Sequence, residues 1–255
     1  MAQSAGTSQA PGLVHPACID GGTPRGVGKR LVVALTAAVL LLLPACSADD
    51  TASPSSSTSS SSRPSGGIRP TPHQPLPAGT YVSEIFKTPL TYTLPDGWKM
   101  FEDEPGQFGL ALVANDGPCV CVWRDVRAAA STGAEEPEPG VGASAQEITT
   151  WLAHHKWLKT TAPKAVSVGG LSGYVIDVVG NPKASTLIGS GISAGVHWEA
   201  SSIEGSSQRV YLLDIGKNGA DGNIAINIEV CCGVQFAERM AAVAPIIKSF
   251  AFKVD

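Results

Sequence analysis

The hydrophobic rhythm of the chain changes twice, and each change marks a different kind of segment. Residues 31–45 (LVVALTAAVLLLLPA) form an uncharged run of fifteen, preceded by Arg25, Lys29 and Arg30 and followed by Cys46 and a polar stretch. As a helix that run spans roughly 22 Å, short of the ~30 Å hydrocarbon core a stable span must cross, so it reads as a secretory signal. Periodicity then disappears. Between Ser47 and Pro77 the only large apolar residues are Ile68 and Leu76, set among Ser, Thr and Pro. Such a segment cannot bury enough surface to offset its ordering entropy and predicts a disordered tether with coil dimensions of about 30 Å.

Alternation begins near residue 79. Residues 81–86 and 90–94 predict strands, the second placing Leu90, Tyr92 and Leu94 on one face and Thr91 and Thr93 on the other. Pro95-Asp96-Gly97 predicts a turn that delivers Trp98. Residues 108–113 and 120–123 predict an antiparallel pair around Asn115-Asp116-Gly117. Ser144 and Glu147 have capping-box spacing, and Ile148, Trp151, Leu152 and His155 follow at helical intervals, predicting a helix with one apolar face. Residues 164–168 and 171–179 read as a hairpin around Gly169-Gly170, and residues 208–215 and 223–230 as strands around a glycine-rich loop. Phe236, Met240, Val243 and Ile247 recur at helical spacing, with Pro245 predicting a break near Val243 and residues 249–253 a closing strand. The Gly- and Ser-rich residues 181–195 predict no element. The sum is an α+β fold, an antiparallel β-sheet flanked by helices, behind a disordered N-terminal tether. Its parts are a signal over 1–45, a tether over 46–78 and a single extracytoplasmic domain over 79–255.

Composition narrows the partners. Only 16% of the 255 residues are charged, and no basic cluster persists beyond the first thirty, so the footprint of a nucleic-acid binder is missing. Removing residues 1–45 takes away Arg25, Lys29, Arg30 and Asp20 and leaves 15 basic and 21 acidic residues, a net charge of −6. Anionic headgroups should repel that balance, so an anchor rather than surface charge would hold the protein at a membrane.

Leu43-Pro44-Ala45-Cys46 resembles the lipobox of bacterial lipoproteins, with Pro44 departing from the usual small residue. The resemblance implies that Cys46 becomes the first mature residue, carrying a thioether-linked diacylglycerol and an N-acyl chain such as palmitate, on the outer face of the cell membrane. An ordinary signal peptide with a chance cysteine is the alternative.

Four cysteines remain downstream: Cys119, Cys121, Cys231 and Cys232. An even number in an oxidising compartment points to disulfides. A bridge between the two pairs closes a loop of over 100 residues, worth up to about 4–5 kcal/mol in the chain-entropy model. The connectivity stays open, and so does a soft-metal site of thiolates for Cu(I) or Zn(II), although no His lies at ligand spacing. No metal and no cofactor are expected.

Gly191-Ile192-Ser193-Ala194-Gly195 matches the nucleophile-elbow spacing, yet no amphipathic helix follows and no acid-then-His order lies beyond it. A serine hydrolase using Ser193 is therefore the alternative to a non-enzymatic reading. Trp151, Trp157 and Trp198 are candidates to line an apolar pocket, against the simpler reading of core tryptophans. His154 and His155 diverge by about 100° on a helix and do not form an i, i+4 metal pair.

The strand before Leu94-Pro95-Asp96-Gly97-Trp98, the mid-chain helix and the closing Ile246-Ile247-Lys248-Ser249-Phe250-Ala251-Phe252 together resemble the PsbP-like α/β/α sandwich of small actinobacterial lipoproteins of the LpqN type. The resemblance covers most of residues 80–254. It implies that fold and a non-catalytic envelope role, binding a protein partner or an apolar or glycolipid ligand, and it brings no catalytic residue.

Overall fold

The alternating runs pair into three antiparallel sheets in a computed structural model that describes residues 70–83, 85–113, 119–129, 136–179, 185–189, 196–199, 207–230 and 236–254. All of these lie in one compact unit, Gly67–Asp255. The strands in its first half are β1 (Pro75–Leu76), β2 (Gly79–Val82), β3 (Leu90–Leu94), β4 (Trp98–Glu104), β5 (Gln107–Leu112), β6 (Cys119–Arg124) and β7 (Arg127–Ala128). Helix α1 (Ala145–Ala153) precedes β8 (Lys159–Thr160), β9 (Lys164–Val168), β10 (Leu171–Val179), β11 (Ser185–Gly189), β12 (Val196–Glu199), β13 (Ser207–Asp214) and β14 (Asn223–Val230). Helix α2 (Phe236–Ser249) and β15 (Ala251–Phe252) close the chain. The large sheet runs β1-β4-β5-β6-β14-β13-β10-β8 with β9 also on β10; the small sheets are β12-β11-β7 and β15-β3-β2.

Register divides the large sheet into two faces, because side chains alternate along each strand and paired residues share a side. Leu110 on β5 pairs with Val120 on β6, and Val120 with Ile228 on β14. With Phe108, Val122 and Ile226 they build the main core with Met240, Val243, Ile246 and Ile247 of α2 and Leu90, Tyr92 and Leu94 of β3. The opposite face carries Val210, Leu212, Ile176 and Val178, over which α1 lays Ile148 and Leu152.

Several sequence expectations hold in detail. Leu90, Tyr92 and Leu94 are 0, 0 and 1% exposed, and Trp98 is buried directly after its turn. β5 pairs antiparallel with β6, and β9 with β10. Gly169 and Gly170 take φ of +61° and +89°, the left-handed pair a two-residue hairpin turn requires.

Others need correction. The folded body starts before residue 79: β1 pairs with β4, Leu76 is buried, and the His73 N–H donates to the Met100 carbonyl at 2.8 Å. The strand expected over 81–86 ends at Val82, where buried Ser83 donates to Asp103 Oδ1 at 2.6 Å and Phe86 turns into the core. β4 has no counterpart in the sequence reading, since its Glu102-Asp103-Glu104 end looks like a loop and a register shift between Met100 and Glu102 breaks its alternation. α1 buries Ala145, Ile148, Thr149 and Leu152 and stops at Ala153, so His155 lies beyond it. α2 does not break at Pro245: the proline faces solvent, and so does Ala241, whose carbonyl would have received the missing N–H and can bond water instead. β11 lies in the Gly- and Ser-rich stretch 181–195, which the sequence pattern does not place.

Candidate functional site

The buried polar residues Thr149, Gln208, Asn223 and Asn227 lie on the side of the large sheet that carries α1. At one end of it, a polar groove of about 930 Å³ opens between the start of α1, the β9–β10 hairpin and the end of β13; Ser144, Gln146, Glu147, Tyr174, Asp214 and Asn218 are among its walls. The capping box read from the sequence forms: Ser144 Oγ accepts from the Glu147 N–H at 3.2 Å, and Glu147 Oε2 accepts from the Ser144 N–H at 3.2 Å and from its hydroxyl at 2.6 Å. These bonds hold the Glu147 carboxyl below its usual range. Asp214 Oδ1 accepts from the Ala145 N–H at 2.7 Å. The first turn of α1 is thus satisfied from within the chain, which leaves it poorly suited to capturing an outside anion. On the floor, a Cβ at Gly173 would lie 1.9 Å from the Leu212 carbonyl oxygen, so β10 and β13 can approach this closely only with glycine there.

Next to the groove, Asn223 is fully buried and ties three segments together. Its Oδ1 accepts from the Val126 N–H at 2.9 Å, and its Nδ2 donates to the Val126 carbonyl at 2.9 Å and to the Ala143 carbonyl at 2.7 Å. Sequence reasoning missed this residue. Its only signal was a polar side chain opening an otherwise apolar strand.

Further along the same face, register sets Gln208 of β13 beside Glu229 of β14 and Glu229 beside Cys119 of β6. The next row holds Val210, Asn227 and Cys121. Gln208 and Asn227 are 0 and 2% exposed, and neither the Gln208 amide nor Asn227 Oδ1 has a hydrogen-bond partner of full geometry. Burial pushes the Glu229 carboxyl up, and the nearby Gln208 amide opposes that only in part. An amide oriented to help a carboxylate yet short of good geometry leaves the row under-satisfied.

The sequence-derived site residues divide accordingly. Cys119 and Cys121 are buried on β6 and, two positions apart, face the same side. Cys46, Ser193, Cys231 and Cys232 lie outside the described residues. Trp151 is half-buried on α1 with its ring edge against His155, Trp157 is 41% exposed beyond the helix, and Trp198 sits in β12 opposite Leu187. Neither Trp151 nor Trp157 lines the groove. Among the described residues there is no cluster of three or more metal-ligating side chains, and no helix is long and apolar enough to cross a membrane.

Fold and site together define an α+β domain with a mixed-polarity sheet face. No family model matches the chain, and no curated protein matches its sequence. Among solved structures, a Bacteroides thetaiotaomicron protein is similar at a TM-score of 0.35 and 10% identity, covering 65% of this chain and 46% of that one, so the chain spans under half of its length. LpqN of Mycobacterium tuberculosis, described as involved in cell envelope biogenesis, is similar at a TM-score of 0.37 and 13% identity, covering 73% of this chain and 90% of that one. The relation to LpqN is a distant structural likeness.

Proposed function

We propose that this protein is a lipid-anchored envelope protein whose folded body binds, rather than chemically transforms, a protein partner or the polar head of a glycolipid. The observation that carries the reading is the order of segments: a basic flank, an apolar run too short to span, Leu43-Pro44-Ala45-Cys46, a Ser/Thr/Pro-rich stretch and then a folded unit. The groove supports binding because its best-placed groups are engaged in holding the fold. Ser144 and Glu147 cap α1, Asp214 receives the Ala145 N–H, and the Ser167 hydroxyl donates to the Leu171 carbonyl at 3.1 Å. Fixed polar walls suit recognition of a hydroxylated or amide-bearing group better than of an acyl chain, which would strip water from carboxylates without replacing it.

Mass mapping of protein extracted from host membranes, with thiols alkylated before any reductant is added, tests the reading. Acyl mass on Cys46 and a bridge from Cys119 or Cys121 to Cys231 or Cys232 are expected. An unmodified Cys46, or a mature chain that starts elsewhere, overturns the anchor, and four alkylated thiols overturn the bridge and make a metal titration the next step.

A further inference from the structure

One stretch of this acidic protein contains no acid. Between Glu147 and Asp177 there is neither Asp nor Glu, while Lys156, Lys159, Lys164, His154 and His155 fall in the same interval. The structure turns the lysines of that interval outward. His154, Lys156, Trp157, Lys159 and Lys164 are all exposed, in the turn after α1 and on strands β8 and β9. β8 ends the large sheet, and its Lys159 lies opposite Val179; Val179 at 37% and Trp157 at 41% are both exposed. The Lys156 ammonium sits 5.3 Å from the centre of the Trp157 ring. Among the described residues, Glu138 acts on His155 from a neighbouring segment, and Asp177 is held by Arg209 at 2.6 and 2.8 Å. An exposed tryptophan with lysines around it is the combination that settles at the headgroup level of a bilayer, where the ring takes the interface and the ammonium groups meet lipid phosphates.

We propose that this end of the sheet is a docking face for an anionic lipid surface, with Trp157 at its centre and Lys156 and Lys159 beside it. The inference rests on the anchored reading above for the bilayer itself. Only 23 residues separate Cys46 from residue 70, a reach of at most about 80 Å for any conformation, so an acylated Cys46 would keep the body near the membrane. Net charge repels the body as a whole while this face is attracted, so the two terms orient it: the basic end toward the headgroups, the acidic remainder away from them. The groove wall at Ser144–Glu147 then lies at the opposite end of α1 from the docked turn, directed away from the bilayer.

The test uses the full chain reconstituted in vesicles of phosphatidylcholine, with or without 30% phosphatidylglycerol, each carrying a lipid brominated at a shallow position. The difference in quenching between the wild type and Trp157→Phe isolates Trp157, and it is read the same way whichever anchor holds the chain. Quenching in the phosphatidylglycerol vesicles is expected, and it should fall by about tenfold in the Lys156→Glu/Lys159→Glu variant and in phosphatidylcholine alone. Equal quenching in the two lipid compositions, or none in either, overturns the proposal. So does shielding of Trp157 by soluble polyglutamate with no lipid quenching, which assigns the face to an acidic polypeptide. Loss of the Cys46 acyl mass with quenching intact removes the anchor and leaves the docking face standing.

Discussion

The two faces of the large sheet share the same strands but are built by different rules. Toward α2, neighbours across the strands are Phe108, Leu110, Val120, Val122, Ile226 and Ile228, and the one orphaned polar atom described there is the Tyr92 hydroxyl. Toward α1, apolar residues alternate with Asn223, Asn227, Glu229 and Gln208, and the Gln208 amide and Asn227 Oδ1 lack a partner of full geometry. The α2 face keeps its polar groups, Arg209 bonded to Asp177, toward one edge and fills its centre with hydrocarbon, which gives stability. The other face gives up some of that stability to bury polar groups that the fold satisfies only in part.

The sharpest way to break the contrast is to truncate one fully buried side chain on each side. Leu110→Ala, fully buried against α2, should cost about 2–5 kcal/mol in denaturant unfolding. A cost under about 1 kcal/mol would mean that the α2 face is loosely packed. On the α1 face, Asn223→Ala should cost about 2–4 kcal/mol although it removes less bulk, because it strips the buried Val126 N–H of its acceptor and removes the bonds to the Val126 and Ala143 carbonyls. Hydrogen exchange should show the loss first at Val126 and around Ala143.

A smaller effect separates the faces by pH. Burial raises the Glu229 carboxyl above its ordinary 4.5, so the folded state holds this proton more tightly than the unfolded chain does. The native state therefore keeps the full benefit below about 4.5 and loses it as pH rises through the raised folded value. Glu229→Gln should flatten that part of the stability profile and leave the chain more stable than wild type at pH 7; an unchanged profile would show that Glu229 is charged and well solvated in the native state. The smallest expected change is at the groove. Ser144→Ala removes half of the capping box and should cost about 1 kcal/mol, detectable as a lower melting temperature with the α2 face unaffected.

What was legible in the sequence follows the range of the interactions involved. The Ser144 and Glu147 cap, the Gly169-Gly170 turn and the alternation of Leu90, Tyr92 and Leu94 depend on residues within a few positions of one another, and all three stand as read. β4 was hidden because a bulge after Met100 shifts the period; α2 is legible in its spacing, but its continuity past Val243 is not, because the cost of Pro245 depends on whether the carbonyl it strands faces water. The polar row was hidden for a different reason: Cys119, Gln208 and Glu229 become neighbours only through the β6-β14-β13 register. Nothing in their spacing along the chain says that one face will hold them together. Of the tryptophans grouped as one pocket, Trp151 leans on His155 while Trp157 reaches solvent, since α1 ends between them.

The central place of β14 also constrains the order in which the molecule can assemble. β14 bonds both β6, about a hundred residues earlier, and β13, just before it, so it alone joins the β4-β5-β6 meander to the β9-β10-β13 meander. Until residues 223–230 emerge from the ribosome or a translocation channel, the nascent chain holds two separate half-sheets, each with an open edge ready to pair with the wrong strand. β3 waits longer still, because β15 completes it with residues 251 and 252. Such non-local closure makes for slow folding and gives holding factors time to act on the unfinished chain. A stalled or clipped product ending before β14 would be a pair of aggregation-prone fragments and not a smaller version of the domain.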